Sequence, residues 1–455
     1  MMRRVAIVGL TVLLGVGLRA QAVATETEAQ PYSGGVFTRS TLTGDWLGTR
    51  NALAEKGITF DTSVTQITQG VVRGGKDSSW EYGGRGNLTG NLDTQKLGLW
   101  PGGFLNVELE GNWTNSVNGS TGALVPANAN QLFPVPISNN VALPQVMFAQ
   151  FLSHYVGVVA GKLDGMAAAD ANEFAHGKGD TQFFNLAYGL NPVTLVVPYS
   201  TLGTGVIVLP TADPDQAIVS LLVDSATGKA TTDGFDNLNG AIFAGEGRVR
   251  TDFFGFTGHQ LVGALYSNKQ YTSIDQRIEV LPERPGRPRP PVRSVLGSGG
   301  SPAIEKKTDT WAMWYNFDHF LYETDKSAGK GIGVFGRFGA SAGNPNPMQY
   351  FYSVGVGGKG MIPSRDHDRF GVGFYYTTVE SPTLQHPIVG TASPFGDEWG
   401  VEAFYNVALT PWMLLSPDVQ VIGPSQKRKI VNGSTVGTDT IGTATALGFR
   451  LQLLF

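Results

Sequence analysis

The chain has no cysteine, so it cannot build a disulfide framework, a thiol nucleophile or a thiolate metal site. Charge is scarce as well, 15 % of residues against a usual ~25 %. The net charge of −4 gives no basic footprint for nucleic acid. Beyond residue 24, no apolar stretch approaches the roughly 20 residues that a membrane helix needs. A membrane protein made from this sequence must therefore cross as a β-barrel, the other architecture that satisfies every backbone group in lipid. There is no H-E-x-x-H pair, and the six histidines are scattered.

Glycine, by contrast, is abundant: 61 of 455 residues, near twice the usual ~7 %. Large apolar and aromatic side chains are spread throughout, which separates this composition from that of disordered chains. It fits many strands and turns with little soluble surface. The first residues read as an export signal over 1–24. Arg3 and Arg4 precede the apolar run Val5–Leu18, and Ala20, Ala22 and Ala24 offer small-residue cleavage patterns.

Period-two alternation recurs along the chain. The terminal "ALGFRLQLLF" sets Leu447, Phe449, Leu451, Leu453 and Phe455 on one face. "GFLNVELEGNW" sets Leu105, Val107, Leu109 and Trp113 against Asn106, Glu108, Glu110 and Asn112. "EWGVEAFYNVAL" opposes Trp399, Val401, Ala403 and Tyr405 to Glu398, Glu402 and Asn406. Strands of about nine to eleven residues cross a bilayer at a tilt. Trp100 with Trp113, and Trp399 with Trp412, flank strands as interfacial girdles do. The expectation is an all-β, transmembrane, antiparallel barrel over 58–455, preceded by a segment 25–57 with a short helix. In that segment Thr43 or Asp45 would cap, Leu47, Leu53 and Ala54 would form the apolar face, and Gly57 would stop the helix.

Two long connections interrupt the pattern, Asn115–Pro144 and the Arg/Pro-rich Leu281–Pro302. Transmembrane barrels carry long loops on the outside, so both belong there or fold into the mouth. With Arg284, Arg287, Arg289 and Arg293, the second reads as a solvated extended loop or, alternatively, as a contact for anionic lipopolysaccharide or an attractor of acidic solutes.

Two literal G-x-G-x-x-G matches, at Gly331/Gly333/Gly336 and Gly355/Gly357/Gly360, lie in alternating strands with no helix following, which denies them a pyrophosphate site. Asp366-His367-Asp368 reads as a polar turn. Asp61, Arg85, Asp93, Glu108 and Glu110 share the polar faces of the early strands, the faces that line a barrel lumen. Charges and aromatics at a constriction set selectivity. Arginine and carboxylates hydrogen-bond sugar hydroxyls, and an aromatic face stacks on a pyranose ring.

"LTGDWLGTRNALAEKGITFD", "GRGNLTGNLDTQKLGLWPGG" and "VEAFYNVALTPWMLLSPDVQVI", in that order, resemble the carbohydrate-selective porins of the OprB type. The resemblance runs from about Leu42 to Phe455. It implies a 16-stranded barrel in the outer membrane of a Gram-negative bacterium, monomeric or homotrimeric, for passive diffusion of mono- and small oligosaccharides such as glucose. No enzyme activity or cofactor is implied. It implies an eyelet to which Arg85, Glu108, Asp61 and, in "DANEFAHGKGD", Phe174 contribute, with Phe455 as the terminal signal read by the barrel-assembly machinery. The alternatives are a general or ion-preferring pore, a barrel enzyme, or a surface adhesion protein.

Overall fold

The structure is a computed structural model and describes residues 32–134, 141–165, 170–224, 240–274, 305–386, 388–431, 433 and 435–455. The export signal and the Arg/Pro-rich stretch lie outside those residues. Alternation is realised as sixteen strands that pair antiparallel and close on themselves. They are β1 (Ile58–Gly75), β2 (Trp80–Asp93), β3 (Gly103–Thr114), β4 (Val141–Phe151), β5 (Val156–Asp164) and β6 (Ser200–Val208). Next come β7 (Ala217–Asp224), β8 (Ile242–Thr251), β9 (Gly258–Ser267), β10 (Thr310–Asp325) and β11 (Lys330–Ser341). The ring is completed by β12 (Met348–Lys359), β13 (Arg369–Val379), β14 (Glu398–Thr410), β15 (Met413–Gly423) and β16 (Gly442–Leu454). At the seam β1 pairs with β16, setting Thr65 opposite Gln452 and Ile67 opposite Arg450. Closure leaves no strand edge exposed, the condition for crossing lipid.

The two faces divide as the alternation requires. Leu109, Val354, Val372, Val401 and Phe449 point outward and are exposed, while Glu110, Asn112, Glu398, Glu402 and Asn406 point inward and are buried. Exposed Trp80, Tyr82, Trp113, Trp311 and Tyr350 mark one rim, and Trp100, Tyr155, Phe253 and Tyr322 the other. These are the two interfacial belts. Trp412 is not in a belt: it is only 8 % exposed, and its indole N–H donates to the Val36 carbonyl at 2.6 Å. The N-terminal segment folds over it.

Connections at the rim bearing both described chain ends are short, such as 152–155, 326–329 and 411–412. At the opposite rim most are long, and by barrel convention that rim is external. The stretch expected to be loop from Asn115 is shorter than anticipated, because Leu143 and Pro144 already belong to β4. Its described part, 115–134, folds into the mouth and buries Val117, Val125, Ala127 and Phe133. Two further connections form a small external sheet from Leu384–His386, Gly390–Ala392, Arg428–Val431 and Thr435–Thr440.

The N-terminal helix, α1, covers only Thr49–Glu55. Its N-cap is Gly48 in the left-handed region rather than Thr43 or Asp45, although Asp45 Oδ1 does accept from the Asn51 N–H at 2.8 Å. Leu47 precedes the helix and is fully exposed; the buried helical residue is Arg50. The helix faces strand ends, whose free carbonyls call for a donor rather than a leucine. Arg50 supplies it to the main-chain oxygens of Phe60 at 2.6 Å and Phe455 at 2.9 Å.

Candidate functional site: a segment across the lumen

Residues 170–199, between β5 and β6, carry neither helical nor strand periodicity and run through the barrel interior. Their backbone needs partners there, because an unpaired buried N–H is costly. Wall carboxylates provide several. Glu246 on β8 accepts from Asp170 N–H at 3.0 Å, and Asp318 on β10 from Glu173 N–H at 3.0 Å. Glu402 on β14 accepts from Phe184 and Asn185 N–H at 2.5 and 2.9 Å. On β11, Arg337 donates to the Asp170 carboxylate at 2.6 Å and to the Tyr188 carbonyl at 3.2 Å. Arg450 on β16 donates to the Gly179 carbonyl at 2.7 Å and lies over the Phe184 ring at 4.2 Å.

Glycine explains where the segment's aromatic rings go. A Cβ at Gly333 would stand 2.5 Å from the Phe174 ring, and one at Gly371 would stand 2.7 Å from the Phe183 ring. A Cβ at Gly357 would meet Phe174 and one at Gly373 would meet Tyr188. The bare backbones of β11, β12 and β13 thus form hollows that seat three rings. Gly333 and Gly357 are the middle glycines of the two G-x-G-x-x-G matches, so those matches serve ring packing within strands. Phe335 and Phe404 then meet Phe183 edge to face, as Phe335 meets Tyr188, with centroids 4.7–6.1 Å apart, while Phe183 and Tyr188 lie tilted at 4.3 Å.

On the far side the segment meets a cluster of charges. In the ring of sixteen, β2 and β10 stand opposite each other, so a segment held at both spans the lumen. Arg85 on β2 reaches Asp180 of the segment at 2.5 Å and Glu110 on β3 at 3.4 Å. Asp180 also accepts from Asn130 of the mouth loop at 2.5 Å and from Thr65 on β1 at 3.4 Å. Lys178 reaches Glu110 at 2.8 Å, Glu108 at 3.5 Å and the Asp164 carboxylate on β5. The Tyr199 hydroxyl lies 3.2 Å from the Lys178 ammonium and donates to Glu110. Lys178 sits on the connection, not on a strand. Burial opposes its charge, but Asp164, Glu108 and Glu110 outweigh that and raise its pKa well above the ordinary lysine value.

Below this cluster, toward the periplasmic rim, the inner wall of β1 to β3 is lined mainly by neutral polar side chains, with Asp61 among them. Asn87 donates to Glu108 at 2.6 Å. Asn91 donates to Thr59 at 3.3 Å, Asn106 to Asn91 at 2.6 Å, and Gln145 to Asn106 at 2.5 Å. Ser63, Asn87, Thr89 and Asn91 keep part of their surface open.

Of the four residues singled out from sequence, Arg85 and Glu108 come together in the charge cluster. Asp61 does not join them. It pairs with Thr89, four residues along β1 from the level of Arg85, about 13 Å at 3.3 Å per residue. Its electrostatic neighbour is Arg50. Phe174 packs against the opposite wall, edge-on to Phe320 at 4.8 Å, and only 6 % of it is exposed. Sequence reasoning missed Lys178, Asp180, Arg337 and Arg450 as members of the constriction. The one signal for the first two was "HGKGD", opposite charges spaced by single glycines in an aromatic stretch.

A closed barrel whose lumen is narrowed by an inward segment and a cluster of charges defines a porin. The chain belongs to the carbohydrate-selective porin, OprB family, whose pattern it matches over residues 77–455. It is thus a sugar-selective porin of the bacterial outer membrane. Comparison with curated protein sequences gives no match. Among solved structures it is similar to the high-pH form of Pseudomonas putida OprB, with a TM-score of 0.72 and 19 % identity over 91 % of this chain and 98 % of that one. It is also similar to the low-pH form, with a TM-score of 0.53 and 16 % identity over the same shares. Both likenesses concern the fold.

Proposed function

We propose that sugar passes where the inward segment faces β1–β3, with Arg85, Glu108 and Asp180 forming the eyelet. The observation that carries this reading is the crossing of residues 170–199 from Arg337 on one wall to Arg85 on the other, which confines passage to the polar side. Arg85 donates to sugar hydroxyls, and Glu108 and Asp180 accept from them. The half-open Ser63, Asn87, Thr89 and Asn91, with Asp61 level with Thr89, hand the solute on toward the periplasm through polar groups that replace its hydration. Phe174 contributes by holding the segment against β11 and β12, on the wall opposite the passage, rather than by stacking a pyranose in the open. Such a lining binds weakly enough for solute to leave. The solute moves down its gradient with no covalent step and no cofactor.

Other parts of the reading rest on sequence. Residues 1–24 serve export, residues 58–455 form the pore as a monomer or homotrimer, and the Arg/Pro-rich stretch meets lipopolysaccharide. Phe455 addresses the chain to the assembly machinery. The experiment is uptake by liposomes containing the purified barrel, comparing glucose, a disaccharide and a neutral amino acid of glucose's size. Glucose should outpace the amino acid. Equal rates would reduce the protein to a general pore, and no uptake by folded barrel would turn attention to the external loops.

A further inference from the structure

Glu108, Glu110 and Asp164 each place a carboxylate oxygen within 4.8 Å of the other two. Three like charges at that spacing repel one another and attract a cation. The wall strands β3 and β5 bring them together, and the ammonium of Lys178 reaches all three from the inward segment. Arg85 touches Glu110 from the side and spends its other nitrogen on Asp180. The ring of Tyr199, whose hydroxyl donates to Glu110, lies 5.0 Å from the Lys178 ammonium. The lysine is thereby enclosed by acceptors and an aromatic face.

We propose that Lys178 is a tethered counter-ion that keeps free cations out of the constriction and so determines the preference for neutral solutes. This deepens the reading of the same eyelet. The wall by itself offers an acidic pocket, which in a pore favours cations. A lysine delivered by the segment fills that pocket with a charge that cannot be conducted away. A mobile cation would instead bind, block or permeate. One side chain therefore does two things: it docks the segment and it occupies the point where the wall's carboxylates would hold a free cation. A purely structural lysine would do only the first.

The test is planar-bilayer conductance under a potassium chloride gradient, with glucose uptake measured on the same preparations. A unit charge about 6 Å from a permeating ion in water alters its occupancy by roughly threefold. The potassium-over-chloride permeability ratio of Lys178→Met should therefore rise by roughly that factor or more. Calcium should slow glucose uptake through this variant and leave the parent unaffected. Lys178→Arg, which keeps the charge, should match the parent in ion preference, and Lys178→Met/Glu110→Gln should move back toward it. Glu108→Gln with the lysine intact tests the converse and should shift preference toward chloride even if Lys178→Met fails to fold. Unchanged permeability ratios in Lys178→Met and Glu108→Gln would overturn the proposal. Because the ratio is read without sugar, a parent that proves unselective for glucose would sink the eyelet reading and leave this test standing.

Discussion

Arg85 and Asp180 lie 95 residues apart in sequence, and their charged groups meet at 2.5 Å in the lumen. One belongs to the wall and the other to the segment that crosses it, so this pair fixes how far the segment projects. Arg85 is almost wholly buried, while the Asp180 side chain retains 20 % exposure. The pair is thus open on one side, where solute can reach the carboxylate.

Replacing Arg85 with alanine should leave Asp180 and Glu110 without their shared guanidinium. The ratio of glucose to amino-acid uptake should fall toward one. Losing one partner of a buried pair costs about 3–5 kcal/mol when solvent is excluded, and less here because Asp180 is partly wet. A modest drop in thermal midpoint should accompany the loss of selectivity. Lysine at 85 keeps the charge but not the two-nitrogen fork and should fall between. Unaltered solute ratios in Arg85→Ala would remove this residue from the site.

The glycine hollows make a sharper structural prediction. Valine at Gly371 or Gly373 would collide with Phe183 or Tyr188, and the rings can yield only by moving the segment. Conductance should increase and discrimination among solutes should fall, while the barrel keeps its heat-modifiable mobility on gels. A narrower or unchanged pore would show that the rings re-seat without moving the segment.

Glu402 holds two consecutive N–H groups of the segment, one on each carboxylate oxygen. In Glu402→Gln only one oxygen remains to accept, so one buried N–H loses its partner at a cost of about 1–3 kcal/mol. Hydrogen exchange at Phe184 and Asn185 should quicken by roughly five- to a hundredfold, since roughly 1.4 kcal/mol corresponds to one decade. The β14–β15 ladder should exchange as before. Equal acceleration everywhere would mean that the whole barrel, not the segment, had loosened.

Arg50 ties the N-terminal segment to the seam through Phe60, Phe455 and the Thr41 hydroxyl, the last at 3.1 Å, and it lies 4.0 Å from the Tyr32 ring centre. In Arg50→Ala these contacts go together. Protease should then cut within 32–57 of the folded barrel, and Trp412 should become accessible to aqueous quenchers as Val36 departs. Sugar selectivity should be little changed, since Arg50 holds the periplasmic end of the seam, at Phe60, whereas Arg85 stands level with Thr65 further up β1. Continued protection of both sites would show that the Trp412–Val36 bond holds the segment unaided.

Legibility divides by solvent. Where a strand faces lipid on one side and water or polar groups on the other, period-two alternation reports both faces, as it does for Leu105 to Asn112 and for Glu398 to Leu409. Where both faces are apolar the pattern blurs. On the inner side of β4 to β7, Met147, Val159, Ile207 and Ile218 pack against one another and are buried. Alternation cannot distinguish them from the lipid-facing Val158, Val206 and Leu221. The expected helix face holds only in part, with Leu53 and Ala54 half-buried in α1, for a related reason. Leu47 looks like a core residue, but α1 rests on strand ends that require the guanidinium of Arg50.

By itself the sequence determined a lipid-facing barrel and the strand faces that carry Arg85 and Glu108, because alternation and strand length follow from covalent geometry and the bilayer's thickness. The tertiary structure alone decided what stands opposite those residues. Residues 170–199 have no periodicity, and their course is fixed by wall carboxylates, glycine hollows and charges contributed from strands far apart in sequence. Lys178 and Asp180 enter the constriction because the closed ring places β2 opposite β10 and gives the segment anchors on both sides, a relationship no local pattern encodes.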